Sequence, residues 1–286
     1  MLTRVVLSFS LLAAVPLTAN GQIRVLTITS SATFTTGLLK PGSLASIFCT
    51  GLTVVPDLVA ADGYPLPRTL AGVRVTFGAT DARILAVANL AGGAYQQINV
   101  QIPWEVTDTS ILDVNQNGAS AHFATPSFGW PVFFVDPSGY AIAQHAAGYR
   151  PVTPADPAKP GEWVIVYATN LGPVQNQPAD GNPADPQLLS PILPDPSPHA
   201  FYFGLVLGPP PVSAQWPTHI ASNYMGMTPG SIVYQANMQV PADQPPGDLV
   251  FLVADIWDCG FFFVQGCGRD YSLHAASDPA RIPVGN

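Results

Sequence analysis

Four groups of side chains have the types and spacing that chemistry or binding would need. Cys259 and Cys267 flank Gly260-Phe261-Phe262-Phe263-Val264-Gln265-Gly266. In an oxidising compartment such a pair closes a hairpin loop as a disulfide, worth roughly 2–3 kcal/mol through lost unfolded-chain entropy. A metal site on the same thiolates would need further ligands, and His274 is the only one close in sequence. Cys49 falls inside an apolar strand and is expected as a buried free thiol. Phe261, Phe262 and Phe263, with Trp257 beside them, form the candidate contact surface. A stapled aromatic tip can enter a hydrophobic partner or stack on a glycan. The competing reading packs alternate rings on the edge of the domain. Asp180, Asn182 and Asp185 could hold Ca²⁺, but their spacing departs from the calcium loop and Pro183 stiffens it, so a solvated acidic loop is the simpler reading.

The fourth group is an amide ladder. Gln97-Ile98-Asn99-Val100-Gln101-Ile102 alternates amides with aliphatics and stops at Pro103. A strand places Gln97, Asn99 and Gln101 on one face and the aliphatics on the other. The pattern returns at Gln235, Asn237, Gln239 and Pro241. Such a strip could hydrogen-bond a sugar or a peptide. Its repetition favours a part in the fold, with the amides serving loop backbone or lying between two units.

Catalytic signatures are missing. There is no His-Glu-x-x-His and no Gly-x-Ser-x-Gly, and His122, His145, His199, His219 and His274 are scattered. The two glutamates, Glu105 and Glu162, are far apart in sequence. Triads assemble in space, so a hydrolase with an unrecognised site stays as an alternative. The reading is of a non-catalytic protein with no cofactor and no metal.

These groups sit in a chain whose start is a targeting signal. Arg4 precedes the apolar run Val5–Val15, and Ala19-Asn20-Gly21 offers a small-residue exit before Gln22. The run is too short to span a bilayer, and no later stretch approaches the ~20 apolar residues a membrane helix needs. No cysteine stands at the cleavage point to carry a lipid anchor. Residues 1–21 are therefore read as a signal peptide, and the protein as secreted, periplasmic or at the cell surface. With Lys and Arg together at 10 against 18 Asp and Glu, the net charge of −8 argues against nucleic acid and anionic lipid as partners. The expected partner is a protein or a glycan.

Hydrophobic residues make up 48%, with 31 prolines and 25 glycines, which fits short strands joined by many turns. Lys40-Pro41-Gly42 introduces the strand Ser43–Leu52, and Lys159-Pro160-Gly161 introduces Glu162–Leu171. Both exits read Thr-(Gly/Asn)-Leu, and Gly51 and Asn170 fit a positive φ. Leu70–Phe77 reads as one alternating strand, Asn117-Gly118 as a hairpin turn, and Asp136-Pro137-Ser138-Gly139 as a type I turn. Residues 175–217 are rich in proline and read as a long surface loop interrupted by a strand at Ala200–Leu207. Arg269–Ala275 is the expected last strand, with a tail after Ser277. The chain thus divides into a first β-sandwich unit, 22–127, and a second, 128–286, which carries the proline-rich insertion and the Cys-closed hairpin at 259–267.

The Lys-Pro-Gly strands, the Thr-x-Leu exits, the Gln-x-Asn-x-Gln-x-Pro strands and the segment Ala242, Pro246, Gly247, Leu249, Val250 together resemble the uncharacterised Solibacter C-terminal domain family of secreted acidobacterial proteins. Gln97–Glu105 is similar to its first signature and Pro160–Val174 to its second. The resemblance spans most of residues 38–256. It implies an all-β protein of two tandem immunoglobulin-like sandwiches, and it implies no activity. The insertion and the Cys259–Cys267 segment depart from the family pattern. The functional reading is a secreted structural or interaction module acting by surface contacts, with a carbohydrate-binding protein using loop-tip aromatics as the alternative. Alkylation of the non-reduced protein should label neither Cys259 nor Cys267; mass spectra showing both labelled exclude the disulfide.

Overall fold

Alternating aliphatic and polar residues make strands in both halves of the chain, which is nearly all β, with 49% strand and 1% helix. The computed structural model describes residues 22–37, 39–54, 56–107, 110–125, 129–193, 201–208, 220–257, 272–276 and 278–286, with backbone alone at 201–204, 254–257 and 272–276. The first half carries β1 (Arg24–Ser30), β2 (Leu44–Thr50), β3 (Leu58–Ala60), β4 (Thr69–Leu70), β5 (Val73–Phe77), β6 (Thr80–Asp81), β7 (Arg83–Leu90), β8 (Tyr95–Gln101), β9 (Ile111–Gln116) and β10 (Ala119–Ala124). One sheet runs β1-β2-β8-β7-β3; the other runs β10-β9-β5-β4, with β6 also on β5. Ile28, Ile47, Val87 and Ile98 from the first sheet share one buried cluster with Val75, Phe77, Leu112 and Val114 from the second. Two faces closed on a common core make a sandwich.

The second half repeats the scheme with β11 (Val132–Phe133), β12 (Ala143–His145), β13 (Trp163–Thr169), β14 (Ser190–Pro191), β15 (Phe201–Leu207), β16 (Ser222–Met227), β17 (Tyr234–Gln239), β18 (Gly247–Trp257), β19 (Ser272–Ala276) and β20 (Ala280–Val284). Its sheets run β11-β13-β17-β16-β14, with β12 on β13, and β15-β18-β19, with β20 on β18. Val164, Val166, Tyr234 and Met238 pack against Leu249, Phe251, Val253 and Ile282. The Phe133 and Phe251 rings meet edge-on at 5.0 Å.

The two halves share a strand register. In the first, Leu44 faces Gln101 and Ser46 faces Asn99 across β2 and β8. In the second, Trp163 faces Gln239 and Ile165 faces Asn237 across β13 and β17. Each Lys-Pro-Gly turn therefore delivers its strand to the amide strand at the same offset. Gly51 and Asn170 both take positive φ, 87° and 69°. Asn117 and Gly118, at φ 50° and 85°, close the β9–β10 hairpin in the left-handed geometry that matches strand twist. Asp136 caps its turn, accepting the Ser138 and Tyr140 N–H groups at 2.8 and 3.0 Å.

Three expectations need correction. Leu70–Phe77 is not one strand: Ala71 and Gly72, at φ 50° and 71°, turn the chain back so that β4 pairs with β5. The expected surface loop is exposed over much of 175–193 but anchored there to the second sandwich. Ala184 and Ser190 are buried, and β14 adds to the edge of β16. The segment after Ser277 is no tail. β20 pairs with β18 from Val284 opposite Gly247 to Ala280 opposite Phe251, and Ile282 and Val284 point into the core. Pro283 hid this strand, because proline donates nothing to a ladder; its carbonyl accepts the Ala158 N–H at 3.0 Å instead. Cys49 is a free buried thiol, its pKa pushed up to about 12 by burial. Cys259, Cys267, Phe261, Phe262 and Phe263 lie outside the described residues.

Ile282→Ala should destabilise the second sandwich by about 2–4 kcal/mol, the cost of emptying a packed aliphatic site. Denaturant unfolding measures it; a change below ~0.5 kcal/mol would return the segment to a tail.

Candidate functional site

The repeated motifs converge where the two sandwiches meet. The Lys40-Pro41-Gly42 turn of the first abuts the residues leaving β13 in the second. Asn170 is fully buried there. Its side-chain oxygen accepts the Lys40 N–H. Its amide donates to the Trp130 carbonyl at 2.6 Å. Only Gly and Asn adopt its left-handed conformation readily, and only Asn brings a side chain that can bridge. Beside it, Thr169 Oγ1 accepts the Leu44 N–H at 3.0 Å. The buried Tyr234 hydroxyl donates to the Gly172 carbonyl at 2.7 Å and lies 3.4 Å from the Pro41 carbonyl. Burial pushes that phenol well above its ordinary pKa, so it remains a donor.

Gly42 is required twice over. Its φ is +78°, and a Cβ there would come within 2.1 Å of the Trp104 ring. Trp104 follows the first amide strand directly yet packs against the core of the second sandwich.

The first part of the insertion makes a second set of contacts. Gly181 N–H donates to Gln101 Oε1 at 2.8 Å, and Leu66 N–H donates to the Gly181 carbonyl at 2.8 Å. The Trp104 N–H donates to the Asp180 carboxylate at 3.1 Å. A Cβ on Gly181 would meet Arg83 and the Leu66 backbone at 3.0 Å, so the loop can approach only with glycine at its tip. Leu44 and Leu66 of the first sandwich form a small apolar cluster with Ile232 of the second, flanked by Leu85 and Phe134. Arg83 Nε, Gln101 Nε2 and Trp104 Nε1 are buried here without a hydrogen-bond partner among the described residues.

The half-buried Asp180 carboxyl is held above the usual carboxylate range. Burial is the main cause and the Glu105 charge adds to it, while the Trp104 N–H, Arg83 and Arg68 oppose it. This corrects the solvated reading for Asp180 alone; Asp185 stays exposed. Asp180 serves the junction, and Asp185 accepts the Gln187 N–H at 2.8 Å. No group of three metal-ligating side chains comes together among the described residues.

The amide ladders divide their work. Gln97 donates to Asn99 at 2.7 Å and Gln235 donates to Asn237 at 2.8 Å, the same pair in both copies. Gln239 donates to the Gly161 carbonyl at 2.9 Å, within its own sandwich, whereas Gln101 reaches across to Gly181. Pro103 is buried and Pro241 half-buried. Trp257 ends β18, and its side chain lies outside what is described. The sequence marks Asn170 only for its φ and Asp180 only as a possible calcium ligand, and gives no sign of the junction roles of Trp104, Asp180 and Gly181, because their partners are distant in the chain.

The second Lys-Pro-Gly turn is finished differently. Lys159 N–H donates to Glu162 Oε2 at 2.9 Å, and Glu162 Oε1 lies 2.5 Å from Nδ1 of buried His145. His145 Nε2 faces Asp156, which also pairs with Arg150 at 2.9 Å. His122 holds the Asp113 carboxylate at the surface.

No protein-family model and no curated protein matches the chain. Among solved structures it is similar to the tandem Ig repeats of Dlar, at 9% identity and TM-score 0.23, over 93% of this chain and 98% of that one. A titin substructure matches at 11% identity and TM-score 0.22, over 91% and 100%. The architecture described above stands on its own sheets and cores.

Asp180 gives a pH signature. Its folded-state pKa lies above the unfolded value, so its contribution is complete below the ordinary carboxylate pKa and is lost as pH rises through the raised one. Asp180→Asn keeps an acceptor for Trp104 and removes that loss. It should match or exceed the wild type in stability at neutral pH and flatten that part of the pH profile. Asp180→Ala strands the Trp104 N–H and should cost about 1–3 kcal/mol. Parallel stability–pH curves for wild type and Asp180→Asn would refute the assignment.

Proposed function

We propose that the protein is a secreted, non-catalytic structural or interaction module whose two sandwiches work as one rigid body and engage partners through surface contacts. One observation carries the reading: both repeat signatures and the tip of the insertion are taken up in the junction. Asn170, Thr169, Gln101 and Asp180 each accept a backbone N–H from the opposite sandwich. A junction of that kind fixes an orientation, and a fixed spacer is useful to a protein that presents surfaces. Among the described histidines, His145 has Glu162 on Nδ1 and Asp156 facing Nε2, so neither ring nitrogen is turned to a nucleophile.

The signal-like start and the motif resemblance to the Solibacter C-terminal domain family support export and a role at the cell envelope or outside it. The Trp257 and Phe261–Phe263 segment belongs to the proposed contact surface on sequence grounds. Export is tested by fractionating cells that express the full chain.

Small-angle scattering on the chain lacking residues 1–21 tests rigidity. The wild type should fit a single conformation. Asn170→Gly keeps the positive φ but loses both side-chain bonds, and should broaden the distance distribution while each sandwich keeps its strand content. A wild-type profile that needs freely hinged sandwiches would sink the rigid-module reading.

A further inference from the structure

Next to the junction a groove of about 170 Å³ opens between the β1–β2 connection of the first sandwich and residues 129–132 and 278 of the second. Trp130 forms one wall and is 45% exposed. Thr35 and Thr36 supply hydroxyls, Asp278 a carboxylate, and Leu39 an apolar base. We infer that this groove binds a single uncharged sugar ring of a glycan, with the Trp130 indole as its stacking platform.

Three features select that chemistry. A pyranose has an apolar C–H face and a hydroxylated edge, which suits a half-exposed indole set opposite hydroxyls and a carboxylate. The volume lies below the roughly 300–1,000 Å³ of pockets for drug-sized ligands, so it accepts one ring. No lysine or arginine is among the described residues that line it, and the chain carries a net charge of −8, so an anionic ligand is disfavoured.

The site is also held in place before any ligand arrives. Asn170 fixes the Trp130 carbonyl at 2.6 Å with the same side chain that accepts the Lys40 N–H. On the other wall, a Cβ at Gly37 would lie 3.9 Å from Gly129 Cα, so the two backbones run in near contact. Neither sandwich alone contains the groove, so the inference rests on the rigid junction proposed above, and the described residues that line it do not include Trp257 or Phe261–Phe263.

Saturation-transfer NMR on the chain lacking residues 1–21 tests it. The probes are the methyl glycosides of β-glucose, α-mannose and β-galactose, N-acetylglucosamine, and glucuronic acid. At least one neutral sugar should receive saturation on its ring protons, and glucuronic acid should receive less. Trp130→Ala should abolish the transfer, and Asp278→Ala should weaken binding about tenfold. Both residues are at the surface, so the variants should keep the wild-type circular dichroism and scattering profile, which separates loss of this site from loss of the rigid module. Silence from every neutral sugar overturns the inference. So does transfer that survives Trp130→Ala, or transfer that Phe262→Ser abolishes while Trp130→Ala leaves it intact.

Discussion

The architecture depends on one buried amide. Asn170 joins the Lys40 N–H of one sandwich to the Trp130 carbonyl preceding the strands of the other. It can do so because its backbone has already turned left-handed at φ 69°. A buried amide left half-satisfied is costly, so the position tolerates neither sandwich moving away. Around it the other contacts are arranged by reach. Thr169 serves Leu44, Tyr234 serves Gly172 and Pro41, and the Gly181 tip threads against Gln101 and Leu66. Among the described residues the apolar contacts of the junction are Trp104 against the second core and the Leu44, Leu66 and Ile232 cluster. Directional bonds therefore set the angle between the sandwiches, while the separate cores supply most of the stability.

Much of the fold could be read from local patterns. The amide strands, the Lys-Pro-Gly turns, the Asn117-Gly118 hairpin and the positive φ at Gly51 and Asn170 are each written within a few consecutive residues. What escaped has its causes elsewhere in the chain. β20 contains Pro283, which contradicts a strand unless one knows that its missing N–H falls where no ladder bond is needed. Ala71 and Gly72 sit inside an alternating run that looked continuous, and only the pairing of Thr69 with Arg74 shows the reversal. The candidate site was less legible still. Trp104 meets Gly42 and Asp180, and Gln101 meets Gly181, across separations that no periodicity encodes.

The amide ladder shows how one motif can serve two ends. The Gln97–Asn99 and Gln235–Asn237 pairs do the same local work in both copies. The third amide of each ladder is the one that differs. Gln239 turns inward to its own Lys-Pro-Gly turn, while Gln101 is free to receive the insertion loop. The insertion thus has a structural role for its first part, whose Gly181 N–H satisfies the buried Gln101 side-chain oxygen.

The two Lys-Pro-Gly turns are put to different uses. In the first copy the lysine N–H is a plug that fits a socket on the neighbouring sandwich. In the second copy the equivalent plug is already filled, because Glu162 folds back onto Lys159 and is itself held by His145. With its lysine N–H taken up by Glu162 inside its own sandwich, the second turn differs from the first, whose Lys40 N–H is given to Asn170 of the neighbouring sandwich.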